Sequence, residues 1–449
     1  MLIIGGGASG ALLTCHLLRD PTRKLTVTLV EKRAEVGRGV AYFTADPNHL
    51  LNVRAANMSA FADQPDHFWR WLCAQEKNGS LRYRYADSFR FVPRNIYGEY
   101  IGSLLSAFLI GGEPTGSLHV IRGECVSIEQ LGSGVTIALA DGSRVHGEIA
   151  VLATGHDTSP LCDDFCIEPW TAPAEVGITP DSRILILGTG LTMVDYVLSL
   201  VLGGHKAPII AMSRHGLRPQ GHRPAQPSPI DCATIPFGAG VVDLFRWLRG
   251  TIDTHTADGG DWRSIIDGIR PFTQQIWQSL SVRQRRSFLE HARSWWEVYR
   301  HRMAPEVENR IDGAIASGRL TLLAAKLMAI EPGVASAVVR YRRRGQSAIE
   351  TIETDKIVDC RHIGRVPLKV TNPAVRSLFD AGLARLDPLS IGIDVTPECA
   401  VIDRFGVPSE RLFAVGPLTR AGFWEIVAVP DIRVQCAALA NHLASGLPA

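Results

Sequence analysis

The tightest constraint on the fold sits in the first residues. "MLIIGGGASGALLTCHLL" passes from a short apolar strand, Met1–Ile4, straight into glycines and then into helix-forming residues. A second version, "RILILGTGLTMVD", begins at Arg183. A strand that turns on glycine into a buried helix leaves the first helical amides, and the positive end of the helix dipole, aimed outward at a site suited to phosphate. Two such elements in 449 residues predict two α/β domains, each with its own anion-binding turn.

In Gly5-Gly6-Gly7-Ala8-Ser9-Gly10 each fingerprint glycine has its own reason. Gly5 makes the tight turn, Gly7 lets a pyrophosphate approach the backbone, and Gly10 allows close helix–strand packing. The run "KLTVTLVEK" then reads as a strand ending in Glu31, 21 residues after Gly10, where a carboxylate accepts hydrogen bonds from ribose hydroxyls. Ala8, Ser9 and Lys32 complete this first candidate nucleotide site. The opening strand lacks lead-in residues, which leaves open a start further upstream.

The second turn offers Gly188 and Gly190, followed by Leu191 and Thr192, with Met193 where a third glycine would stand. A bulky residue there predicts looser helix packing. The following strand, "APIIAMSRHG", ends in Ser213-Arg214 instead of an acid. An acid repels a 2′-phosphate, whereas a hydroxyl and a guanidinium bind one, so the expected nucleotide is NADPH.

Two further stretches match in order. Leu118–Gly155 and Leu320–Gly364 both alternate apolar and polar residues through strand, turn and strand, and each ends in an apolar strand that meets a glycine. One architecture used twice accounts for this pattern: two Rossmann-like dinucleotide-binding domains. The boundaries expected are 1–170 with 358–449 for the first domain and 171–357 for the second. Within the second, about 217–312 is an insertion too long for a loop. "VVDLFRWLRG" and "VRQRRSFLEHARSWWEVYRHRM" carry apolar residues at helical spacing, with Trp295-Trp296 as the core anchor. The insertion's arginines read either as a solvated face or as the lining of an anionic-substrate pocket.

Composition excludes more than it identifies. A net charge of +2 gives no overall pull toward nucleic acid or membrane. No apolar run reaches spanning length and no charged leader precedes the first strand, so a cytoplasmic protein is expected. The nine cysteines form no CxxC pair and no metal-ligand spacing; the nearest two, Cys162 and Cys166, are expected to be ordinary thiols.

Across nearly its whole length the chain resembles FAD/NAD(P)-binding proteins of the two-dinucleotide-binding-domain (glutathione-reductase-like) class, similar to flavin-containing and N-hydroxylating monooxygenases. The segments that carry the likeness are "GGGASG", "GRGVAYFTADPNHLLNVRAANMSAFADQPDHFWRWL", "VPRNIYGEYI", "LATGH", "LGTGLTMVD", "WWEVYRHRMAPEV" and "GPLTRAGFWEIVAVPDIRVQ". The resemblance implies FAD at the first site, with Val126, Thr154, Gly155, Gly416 and Glu425 also touching cofactor. It implies that Asn52, or Asn57 in a second register, is an amide over the flavin. His156 replaces the aromatic of the N-hydroxylase signature, and Pro417 stands where relatives carry a ribitol-binding aspartate. The helix implied from Glu425 onward would present its N-terminus to the flavin. The Baeyer–Villiger fingerprint is absent.

By this resemblance the leading expectation is an NADPH-using monooxygenase that passes one oxygen atom of O2, through a flavin C4a-hydroperoxide, to a small nucleophilic substrate, with N-hydroxylation of an amine as one form. A flavin reductase or oxidase without oxygen transfer is the alternative, and a non-catalytic nucleotide-binding regulator is the second. Disulfide reductases are disfavoured because no cysteine pair follows Glu31.

Overall fold

A computed structural model gives the structure for residues 1–20, 22, 25–80, 85, 87–109, 116–132, 134–155, 165–361 and 372–445. The chain divides into two compact units. The first comprises Met1–Pro47, Val53–Ser159 and Gly364–Ala449; the second comprises Asn48–Asn52 and Pro160–Ile363.

Sixteen strands are described. The first seven are β1 (Leu2–Ile4), β2 (Leu25–Glu31), β3 (Gly116–Arg122), β4 (Cys125–Leu131), β5 (Gly134–Leu139), β6 (Arg144–Gly147) and β7 (Ala150–Leu152). The next seven are β8 (Cys166–Ile167), β9 (Ile184–Leu187), β10 (Ile209–Ser213), β11 (Leu320–Pro332), β12 (Ala337–Arg343), β13 (Glu350–Thr354) and β14 (Lys356–Asp359). The last two are β15 (Ala400–Ile402) and β16 (Pro408–Ala414).

In the first unit the sheet order is β15-β16-β7-β1-β2-β3, parallel from β16 through β3. β1 is buried at all three residues, which is why its sequence is uniformly apolar rather than alternating. The Ala8–Leu18 helix is likewise buried along nearly its whole length, so it shows no polar face. Leu2, Ile4, Val30, Leu152 and Leu412 join Val135, Ile137 and Leu139 of a separate β4-β5-β6 sheet in one core.

The second unit repeats the plan as β13-β12-β11-β10-β9-β14-β8, parallel from β11 through β8. β9 takes the place of β1, and β14 that of β7. The two copies differ at one point. In the first, Gly123-Glu124 interrupts the chain between β3 and β4, so the antiparallel strands form their own sheet. In the second, β11 runs unbroken for 13 residues, bulges between Leu327 and Ala329, and carries β12 and β13 on the main sheet.

Three boundary expectations are corrected. β8 pairs with β14, and β14 with β9, so Cys166–Ile167 and the whole of Lys356–Asp359 belong to the second unit, not the first. Strand pairing decides this, and it is invisible to local pattern. Residues 48–52 also belong to the second unit. The third correction concerns the C-terminal helix, which spans Val429–Ser445 and not from Glu425. Pro430, suited to a first helical turn, places the start there.

The insertion is helical, with its longest segments at Val241–Ala257 and Pro305–Ala316. A capping box between Ser281 and Gln284 starts the Val282–Ser287 helix. A π-helical turn, Phe288–Ala292, joins that helix to Arg293–Arg300. Leu248, Ile265, Ile266, Ile269 and Trp296 form the insertion's own core. Each such side chain contributes roughly 1.5–3 kcal/mol of burial to holding these helices together. Of the expected tryptophan anchor only Trp296 is buried; Trp295 is 40% exposed, because consecutive helical residues point some 100° apart.

Among the described residues no helix is long and apolar enough to cross a membrane, and no cluster of His, Cys, Asp and Glu could hold a metal. Cys166 corrects the expectation of ordinary thiols, since it is disulfide-bonded at the start of β8. Cys162 lies outside the described residues.

Candidate functional site

The first turn has the geometry its glycines predict. Gly5 sits at φ +104°, where a Cβ would stand 2.5 Å from the Ala153 carbonyl oxygen and 3.2 Å from the Thr154 Cα. A Cβ on Gly10 would overlap the Gly5 carbonyl. Gly7 is the N-cap of the Ala8–Leu18 helix and supplies no side-chain cap, so the amides around Ala8 and Ser9 stay available to an anion. The nearest atom to a Cβ on Gly7 would be Gly39 Cα, at 3.2 Å. Two glycines thus face each other across the cradle.

Glu31 is fixed by the backbone on both sides. Its Oε2 accepts from Gly6 N at 2.7 Å and its Oε1 from Arg33 N at 2.9 Å, which leaves a second lone pair on each oxygen for ribose hydroxyls. Gly6, an unspecified position of the fingerprint, matters here: a Cβ on it would lie 2.8 Å from that of Glu31. Lys32 points elsewhere, pairing with Glu124 at 3.1 Å. Val126 lies where the β4–β5 register shifts, a bulge that takes its backbone out of the regular ladder. Gly155, at φ +72° just past β7, has no atom of the described residues within 4 Å of where a Cβ would point.

The C-terminal segment closes on the same turn. A Cβ on Gly416 (φ +74°) would clash with the Ser9 hydroxyl, so these two sequence-distant positions are in contact. With Pro417 in place of an acid, the turn is held by Gln435. Its Oε1 accepts from Gly416 N at 2.8 Å and its Nε2 donates to Thr419 Oγ1 at 2.9 Å. Helical patterning marks Gln435 only as a polar residue, so sequence gave no signal for this role. Glu425 is 7% exposed and adopts φ +65°, a left-handed conformation rare outside glycine and asparagine.

The second turn repeats the first closely. Gly188 has φ +103°, and its Cβ would lie 2.9 Å from the Cys360 carbonyl oxygen, the counterpart of Ala153. Gly190 caps the Leu191–Leu202 helix without a side chain, with no atom of the described residues within 4 Å of where its Cβ would be. Leu191 and Thr192 therefore begin a second open helix N-terminus. Met193 is completely buried beneath it, so this helix accommodates a full side chain where the first required glycine.

Past β10 the side chains are partly committed. Ser213 Oγ lies 2.8 Å from Thr189 Oγ1 and accepts from Gly216 N at 3.0 Å. Arg214 is exposed and reaches the Glu290 carbonyl at 3.5 Å. Two residues absent from the sequence reading stand beside it. His215 packs against Trp295 with ring centroids 5.8 Å apart, and Arg344 is anchored through its amide to Ala324, against which Gly216 also packs. Burial, then the charges of Arg344 and Arg214, hold His215 below the usual histidine range. Positive charge therefore converges on this loop from the hairpin that follows β12.

Three of the insertion's arginines are held by neighbouring parts of the chain. Arg302, 2% exposed, pairs with Asp267 and lies over Trp262. Arg285 donates to the carbonyls of Trp277 and Gln278, and Arg293 pairs with Glu297. Their partners sit on neighbouring turns and helices, information that a one-dimensional count of charges does not hold.

The two asparagine registers separate. Asn57 ends the 3-10 turn Ala55–Asn57 in the first unit and is exposed. Asn52 is half-buried in the second unit, its carbonyl accepting from His222 Nε2 at 3.0 Å. His156 lies outside the described residues.

These sheets and turns define a fold of two Rossmann-like dinucleotide-binding domains. Residues 2–157 match the family model described as FAD-NAD(P)-binding. Over 98% of both chains the protein is similar to an ornithine N-hydroxylase from Kutzneria sp. 744, at 14% identity and TM-score 0.62. It is similar to a cadaverine monooxygenase from Erwinia amylovora over 99% of this chain and 94% of that one, at 12% identity and TM-score 0.65. Thioredoxin reductase from Lactococcus lactis is similar over 99% of each chain, at 12% identity and TM-score 0.53. No curated protein matches by sequence.

Proposed function

We propose that the protein is an FAD-dependent, NADPH-using monooxygenase that transfers one oxygen atom of O2 to a small nucleophilic substrate, with an amine as the favoured nucleophile. The observation that carries this reading is the duplicated cradle. Gly5 and Gly188 have nearly the same φ and are closed by equivalent carbonyls, and each leads into an uncapped helix N-terminus. A flavin-reducing enzyme needs two such seats, one for each nucleotide, whereas a single-nucleotide regulator has no use for the second.

The residues fit their groups. Gly7 and Gly39 leave room for the FAD pyrophosphate against the Ala8–Leu18 helix, and Glu31 is oriented for its ribose. When bound there, FAD supplies the redox and oxygen chemistry, which no side chain provides. Gly190 leaves the same room at the second seat. Arg214 and Arg344 bring positive charge to the loop past β10, with His215 held neutral beside them, and a 2′-phosphate there would favour NADPH over NADH. Asn52 offers a neutral amide able to donate and accept without adding charge.

Monooxygenases of ornithine and cadaverine among the fold relatives favour the amine, and their TM-scores exceed that of the thioredoxin reductase. The test mixes purified FAD-loaded protein with NADPH and O2 in the presence of L-ornithine, L-lysine or cadaverine, and measures hydroxylated amine and hydrogen peroxide per NADPH. Product formed with suppressed peroxide supports the oxygenase. Rapid NADPH oxidation that returns only peroxide, whatever amine is present, moves the assignment to a reductase or oxidase.

A further inference from the structure

Asn48–Asn52 is flanked on both sides by first-unit chain, yet it belongs to the second unit. Three side chains account for this. Arg310 Nη1 donates to Asn48 Oδ1 at 2.9 Å. His49 Nε2 reaches the Asp195 carbonyl at 3.1 Å and Ser199 Oγ at 2.8 Å, both on the Leu191–Leu202 helix. His222 Nε2 donates to the Asn52 carbonyl.

The insertion in turn fixes His222. Its amide donates to the Met303 carbonyl at 2.9 Å, and the Gly221 carbonyl accepts from the buried Arg263 at 2.9 Å. A Cβ on Gly221 would clash with the Glu308 carboxylate. The Met303–Glu308 stretch therefore forms a bed on which the backbone of His222 lies. A ring hydrogen bond from so fixed a backbone restrains the torsions of the residue that accepts it.

We propose that Asn48–Asn52 is a strap held by the nucleotide-binding unit, and that His222 is the positioning residue that fixes Asn52. Its far end is anchored by His49 to the helix whose N-terminus seats NADPH, so nucleotide seat and asparagine share one support. This rests on the reading of Asn52 as a catalytic amide.

The test compares His222→Ala and His222→Gln, with Asn52→Ala as the reference for loss of the amide. Glutamine retains a donor at comparable reach. In cofactor-free protein, amide hydrogen exchange at residues 48–53 should rise roughly tenfold or more in His222→Ala, since local opening is opposed by one hydrogen bond fewer, and return toward wild type in His222→Gln. In FAD-loaded protein, peroxide released per NADPH should rise in His222→Ala and Asn52→Ala alike, with the NADPH KM unchanged, and should fall again in His222→Gln. Unchanged exchange in His222→Ala overturns the strap. Raised exchange there, with peroxide unaltered in Asn52→Ala, overturns the catalytic role of Asn52 and leaves the strap standing.

Discussion

Gly5 turns directly beneath the carbonyl of Ala153, leaving 2.5 Å between that oxygen and the place a Cβ would occupy. The turn is thus locked by the chain leaving β7, the strand beside β1, and Gly188 under Cys360, past β14 beside β9, repeats the lock. Because the clash is with backbone, no rotamer change relieves it.

Glycines in the first turn should therefore fail in different ways. Gly10→Ala places a methyl against the Gly5 carbonyl and should prevent a stable fold, beyond the roughly 1–3 kcal/mol of ordinary overpacking. Gly7→Ala meets only Gly39 Cα at 3.2 Å, so the protein should fold with a small drop in Tm yet fail to take up FAD. Thermal melts and flavin titration separate the two. Normal FAD uptake by Gly7→Ala would show that the pyrophosphate lies elsewhere.

Arg214 and Arg344 should govern nucleotide choice. Alanine at either position should lower kcat/KM for NADPH roughly tenfold or more, the loss of one charge-assisted hydrogen bond, and leave NADH nearly unaffected. Equal losses with both nucleotides would make the arginines structural supports of the Gly216 turn.

Glu425 carries backbone strain that glycine relieves. Both Glu425→Gly and Glu425→Ala remove the carboxylate, so their difference isolates the φ of +65°. The glycine variant should be the more stable of the two by about 1 kcal/mol in urea unfolding. A more stable alanine variant would mean that the segment relaxes out of the left-handed region.

Acid should weaken the first unit through His16. Burial, reinforced by the nearby Arg19 charge, lowers its pKa from 6.5 to about 4. Because the folded value is the lower one, the neutral ring's contribution is fully present above pH 6.5 and lost as pH falls toward 4. Between pH 7 and pH 5 the His16 share should be about 2 kcal/mol of unfolding free energy. His16→Gln should flatten that part of the profile; an unchanged slope would place the acid sensitivity in other groups.

The sequence alone determined the repeated strand–glycine–helix units, Glu31 at its strand end, the helical insertion and the two-domain class, because each is written in neighbouring residues or a short period. Tertiary structure decided what depends on chain segments far apart. Gly6 is needed because Glu31 lies against it, and Gly416 because Ser9 does. β8 and β14 belong to the second sheet through pairing with each other and with β9. Arg344 stands beside Arg214 only because β11 lies next to β10 and leads into the β12 hairpin. Asn52 separates from Asn57 because Arg310, the Leu191–Leu202 helix and His222, all distant in sequence, bond Asn48, His49 and Asn52 and hold five residues in the second unit. A hydrogen bond between residues 170 positions apart leaves no periodicity to read. It exists only once the second unit has folded and brought its donor and acceptor within 3.0 Å.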